Sequence, residues 1–248
     1  MGITFSETPK IFGTIHISAL ILTFVLNVIF YFLLKNKDKN KLLKILHYLG
    51  TAMILAEFFK QWFCYVYVFN RTLNLWFFPW QLCSMAMYCS FIAIYLKDKK
   101  QEAVLVFLAT YSLLADIIAL VLPYDMLRDQ VILTIHSFIY HGLIITEAII
   151  ALLILKEKEK ASFLPATLLF LLMALIAEII NVISHSILNN IYIEPNMFYI
   201  TLAYETTQPV FHEIALRFGI IAEIIIYLSM IILGSYLIFV VERKIFKK

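Results

Sequence analysis

The sequence predicts an all-α polytopic membrane protein of seven transmembrane helices, with the N-terminus outside the cell and the C-terminus in the cytoplasm. Three observations carry that expectation. Of the 248 residues, 62% are hydrophobic, against roughly 45–50% in an ordinary soluble domain. The mean hydropathy is +0.89, so a bilayer is the solvent that suits the chain. The basic residues are gathered into short loops that alternate with long apolar runs.

Seven such runs occur, at 11–34, 45–69, 75–96, 103–122, 131–155, 163–188 and 214–241. Each has about 20 residues or more, enough to cross a ~30 Å hydrocarbon core at helical rise. Helices are required because unpaired strand backbone cannot face lipid, and no alternating barrel pattern is visible. The first run follows a single Lys10 and lacks a small-residue cleavage site, so it reads as a span and not as a signal peptide. No linker, repeat or low-complexity tract divides the chain, which reads as one seven-helix domain over 1–248.

Lysine and arginine near short loops are retained on the cytoplasmic side. One set of loops, with the C-terminal tail, carries Lys35, Lys37, Lys39, Lys41, Lys44, Lys97, Lys99, Lys100, Lys156, Lys158, Lys160, Arg243, Lys244, Lys247 and Lys248. The other set holds Lys10, Arg71 and Arg128, so 15 basic residues face 3, with Lys60 and Arg217 inside spans. An odd number of crossings follows, and a cell membrane, most simply the plasma membrane of a bacterium, is the expected location. With a net charge of +3 spread over loops, nothing forms a nucleic-acid-binding face. The three cysteines, Cys64, Cys83 and Cys89, all lie in apolar runs and form neither a disulfide framework nor a zinc spacing.

An ionisable side chain at membrane depth is expensive and usually faces a cavity or a partner. This chain has many: His16, Glu57, Lys60, Gln61, Gln81, Asp116, His136, His141, Glu147, Glu178, Asn181, His185, Arg217 and Glu223. Most fall in the outer half of the expected spans. Cys83 and His141 lie ~12 and ~15 Å below the outer edge at helical rise, hence at one level. Glu57, Lys60 and Gln61 share a helical face, as do Glu178, Asn181 and His185. A polar chamber open to the outside accounts for this grouping. The plainer alternative is that Glu57 and Lys60 neutralise one another, and that Asp116 pairs with Arg217 or a histidine to hold the bundle together.

The run Phe78-Pro79-Trp80-Gln81-Leu82-Cys83-Ser84-Met85 resembles the Leu-Pro-Leu-Gln-Leu-Cys-Ser signature of the YwaF family of bacterial membrane proteins, to which transmembrane protein 164 is related. His16-Ile17-Ser18-Ala19-Leu20 is similar to that family's opening span, Glu57 with Gln61 and Trp62 to its second, and His136-Ser137-Phe138-Ile139-Tyr140-His141-Gly142 to its fifth. Asn181 and Asn196-Met197-Phe198-Tyr199 resemble a later pattern, with Pro195 where the family has glycine. The resemblance implies acyl chemistry on a membrane phospholipid or other acylated lipid, with Cys83 as nucleophile and His141 as base. Gln81, Asn181 or a backbone amide would hold the oxyanion, and Glu57, Asp116 or His136 would orient the base, with His16 and His185 in support. No cofactor and no metal enter this reading. Two rivals remain: a metal-dependent lipid hydrolase using His16, His136, His141, His185 and Asp116 as ligands, and a small-molecule binding or transport protein.

Overall fold

The computed structural model describes residues 3–156, 161–187 and 195–246. Lys158, Lys160, Lys247, Lys248 and positions 189–194 of the expected long outer loop lie outside the described residues. Among the described residues, six helices are long and apolar enough to cross a membrane: Thr14–Leu34, Lys39–Val68, Asp98–Val121, Val131–Leu155, Leu164–Ser186 and Ile220–Ile245. Five follow the expected runs closely. The third and seventh runs differ.

The third run is not one helix. A short 3₁₀ turn, Leu75–Phe77, is followed by irregular backbone through Pro79, and helix α3 begins only at Ser84. Proline fixes its own φ and has no N–H to give, and the residue before it avoids the helical region, so the chain enters a helix only after it. The apolar helix that results, Ser84–Tyr95, is shorter than a bilayer is thick. The seventh run breaks at Gly219, whose φ of 86° suits glycine and ends α8 (Pro209–Phe218) before α9 (Ile220–Phe246).

The other elements are α1 (Thr14–Leu34), α2 (Lys39–Phe63, continued by a π turn at Cys64–Val68), α4 (Asp98–Phe107), α5 (Leu113–Val121), α6 (Val131–Leu155) and α7 (Leu164–Ile187). A π segment, Leu108–Ser112, joins α4 to α5 without ending the helix. Asp38 starts α2 by accepting the Lys41 N–H at 3.0 Å, a cap for one of the free amides of the first turn.

Contacts fix the direction of each element. The stretch 77–91 descends beside α2, from Phe77 against Gln61 to Phe91, whose carbonyl meets His47 Nδ1 at 2.8 Å. Gly50 makes this approach close: a Cβ there would stand 2.5 Å from the Phe91 nitrogen. Helices α1 and α6 run parallel, joined by Asn27 Nδ2 to Gly142 O at 3.1 Å and Thr146 Oγ1 to Asn27 Oδ1 at 2.9 Å. The rings of Phe107, Tyr111, Phe163 and Phe170 stack between the α4–α5 rod and α7. Phe163 also meets Tyr236 and Phe239 of α9. These pairings bring Lys35, Lys39, Lys97, Lys156 and Arg243 to one end of the bundle.

From the other end, residues 195–200 pass into the bundle as irregular chain around a single distorted 3₁₀ turn, Met197–Tyr199, in which Phe198 has a φ of 59°. Phe198 packs on Phe170 with ring centroids 6.1 Å apart, and Met197 and Phe198 are fully buried. Irregular backbone at such depth requires protein partners for its polar groups. Gln81 supplies two, donating to Asn196 O at 3.1 Å and accepting from Phe198 N at 2.9 Å. Asn181 supplies two more, accepting from Met197 N at 2.7 Å and donating to Met197 O at 3.2 Å. Helix α8 then folds back on α9, with Phe211 edge-on to Tyr227 at 4.9 Å.

Candidate functional site

Asp116 and His141, 25 residues apart, meet in the bundle interior. His141 Nδ1 lies 2.5 Å from Asp116 Oδ1, and Asp116 is fully buried. A carboxylate only accepts, so Nδ1 carries the proton and Nε2 keeps its lone pair. Nε2 has no hydrogen-bond partner among the described residues. This is the orientation in which an imidazole serves as a base.

Cys83 stands at the N-terminus of α3, half-buried between the buried Leu82 and Ser84. The break after Pro79 puts it there, and the continuous span expected from the sequence would not. Its own N–H makes no hydrogen bond among the described residues, whereas the next amides are closed by short turns such as Ser84 N to Gln81 O at 2.9 Å. A helix N-terminus favours negative charge on the sulfur and on a neighbouring oxyanion. Measured along the helices from the lysine-bearing end, Cys83 is ~18 Å up and His141 ~21 Å up, so the two share a level. Among the described residues no hydrogen bond joins them.

Glu57, Lys60 and Gln61 form one cluster. Lys60 Nζ and Gln61 Nε2 both reach Glu57 Oε1, at 2.7 and 2.8 Å. The mutual neutralisation weighed from the sequence is therefore present, and Asp116 has paired with a histidine and not with Arg217. Beside this cluster, His136 Nε2 approaches Ala56 O at 3.2 Å, and its ring stacks on Tyr140. A carbonyl cannot donate, so Nε2 is the protonated nitrogen of His136 and Nδ1 is left as an acceptor.

Four other sequence candidates have different company. His16 uses both nitrogens: Nδ1 accepts from Phe12 N at 2.9 Å and Nε2 donates to Leu120 O at 2.8 Å, tying the start of α1 to the end of α5. Gln81 and Asn181 are the clamps on the entering loop described above, and both Asn181 N–H groups are engaged, one by Glu178 and one by Met197. His185 lies half-buried in the last turn of α7. No group of three or more His, Cys, Asp or Glu residues gathers as a metal ligand set among the described residues.

Several further polar groups complete the interior. Asp116 Oδ2, the Tyr140 hydroxyl, both Glu147 oxygens and the Ser90 and Ser112 hydroxyls are buried without a hydrogen-bond partner among the described residues. Groups of this kind are satisfied by internal water or by substrate, so the core of the bundle is polar as well as apolar. Tyr199 closes the layer at the opposite end, its hydroxyl donating to Asp125 at 2.6 Å and its ring against Trp76. The sequence signals for the broken third run were Asn74, which accepts from Trp76 N at 3.0 Å, and Pro79. No local signal marked Phe198 and Tyr199, both at positive φ.

The family model of the TMEM164 family matches residues 11–241. No curated protein matches the chain. No solved structure does either.

Proposed function

The chain belongs to the TMEM164 family, and from that premise we propose a membrane enzyme that transfers an acyl chain from a lipid through a thioester on Cys83. The observation that carries the proposal is the Asp116–His141 pair, a buried base whose free nitrogen points away from its carboxylate at the level of a helix-terminal cysteine. In uncomplexed structures such contacts are often long and tighten only around substrate.

In the first step His141 Nε2 removes the Cys83 proton as sulfur attacks the ester carbonyl of a lipid, and the Cys83 N–H receives the oxyanion. The C–O bond breaks, the lyso-lipid oxygen takes the proton back from His141, and the acyl chain remains on sulfur. In the second step His141 deprotonates an acceptor hydroxyl or water, which attacks the thioester and returns the thiol. Asp116 holds the imidazole tautomer and stabilises the imidazolium in both steps.

The same reading makes the stretch 75–95 a seventh crossing. It descends the length of α2 from Gln61 to His47, so the lysine-bearing termini fall together only if it takes the chain from one side to the other. The positive-inside rule then puts that end in the cytoplasm and the N-terminus outside.

The test is mass spectrometry of lipids incubated with purified protein, beside Cys83→Ala and His141→Ala. Acyl exchange or release by the wild type, with a hydroxylamine-labile acyl adduct on Cys83, is expected, and both variants should lose it. Product spectra unchanged in both variants would end the thiol mechanism.

A further inference from the structure

Between α2 and α6 a narrow crevice of about 10 Å³, room for one water-sized group such as a single ligand oxygen, is lined by Phe59, Lys60, Phe63, Ile132, Leu133 and His136. Its mouth is on the outer surface of the bundle, where Phe59 is 46% and Ile132 37% exposed, and its floor is buried Phe63 and Leu133. The surface around the mouth is apolar, with Leu55, Phe58, Ile135 and Ile139 all exposed. A face of this kind on a membrane protein meets acyl chains and not water.

The polar groups inside are arranged for an oxygen-rich guest. The Lys60 side chain is 20% exposed and that of its partner Glu57 is 5%, so the ammonium faces the opening and the carboxylate lies behind it. One of the three ammonium N–H groups serves Glu57 and two remain for a ligand. His136 spends its Nε2–H on Ala56 O, so the donors left to a ligand oxygen in the lining are those of Lys60. Arg128, 5.4 Å from the Phe77 ring that Lys60 also approaches at 5.9 Å, is engaged with Asp125, which leaves Lys60 as the cation of the crevice.

We propose that this crevice is a lateral entry site for a phospholipid, with a phosphodiester oxygen held by Lys60 and the acyl chains against Phe59 and Ile132. An ammonium with free donors between apolar walls matches the junction of a phospholipid head and its tails. The crevice is too small for a whole lipid, so the chains stay in the bilayer while the head group engages Lys60. This assignment draws its purpose from the acyl-transfer reading, yet it concerns binding alone and stands or falls without chemistry.

The experiment uses full-length protein in nanodiscs of phosphatidylethanolamine and phosphatidylglycerol in equal parts, doped with diacylglycerol and free fatty acid. Native mass spectrometry then reads the amphiphile retained. Cys83→Ala should keep one phospholipid per chain, which separates this site from the catalytic proposal. Ile132→Trp, which fills the mouth and leaves every charge in place, should cut retention about tenfold or more, the scale of a lost charge-assisted hydrogen bond and its packing. Glu57→Gln combined with Lys60→Met, which leaves no buried charge unpaired, should do the same. Retention of diacylglycerol or fatty acid in place of phospholipid would overturn the proposal, and so would phospholipid retention unchanged in both variants.

Discussion

Asn181→Leu tests whether the entering loop is held by side-chain amides. The substitution keeps the approximate volume of the side chain and removes three hydrogen bonds, one to Glu178 Oε2 at 3.1 Å and two that hold the loop, from Met197 N at 2.7 Å and to Met197 O at 3.2 Å. Both backbone groups are fully buried, and each orphaned group costs about 1–3 kcal/mol. Better burial of the leucine returns part of that, ~1.5–3 kcal/mol by transfer, leaving a net loss of roughly 2 kcal/mol. The loop can leave the bundle without unfolding the helices, so the loss appears as local opening. Amide hydrogen exchange over 196–201 should therefore accelerate about 30-fold, the equivalent of ~2 kcal/mol, with α6 unaffected. Exchange within twofold of the wild type would refute the reasoning, because the clamp would then contribute nothing.

Asp116→Asn removes the charge that fixes the His141 tautomer and should slow acyl-adduct formation on Cys83 by ~10⁴-fold, as loss of the orienting acid does in a comparable triad. A stopped-flow or quenched-label assay measures it. Gly50→Ala drives a Cβ to 2.5 Å from Phe91 N and 2.8 Å from Met87 O, and should cost about 1–3 kcal/mol by overpacking, seen as a lowered Tm in detergent. His16→Leu orphans the Phe12 N–H and the Leu120 carbonyl, so it should lower the Tm while acyl-transfer rate per folded molecule holds. In sealed cells an impermeant maleimide should reach Leu73→Cys directly and Lys99→Cys only after permeabilisation, and the reverse pattern would invert the topology.

The apolar runs and the lysine asymmetry were legible because they are one-dimensional properties: length against bilayer thickness, and charge against side. The relation to the TMEM164 family was legible too, in the segments around Cys83 and His141. The break in the third run was visible only as Asn74 and Pro79, and a proline inside so apolar a stretch also fits a kinked span. The break at Gly219 follows from a positive φ that no residue pattern announces. Pairings across the bundle lay further out of reach. Asp116 had Arg217 and several histidines as eligible partners, and only the packing of α5 on α6 selects His141. Gln81 and Asn181 were read as groups facing a reacting atom, whereas each holds a pair of bonds to loop backbone, a use that depends on where 195–200 runs.

The π segment Leu108–Ser112 carries one more residue in its turn than an α-helix holds, and Asp116 follows it on the same rod. That surplus residue sets the angular phase of everything beyond it. Wound at ordinary α-helical pitch with the same residues, the rod would carry the carboxylate up to ~100° further around the axis. The imidazole would lose its companion although no residue touching either group had changed.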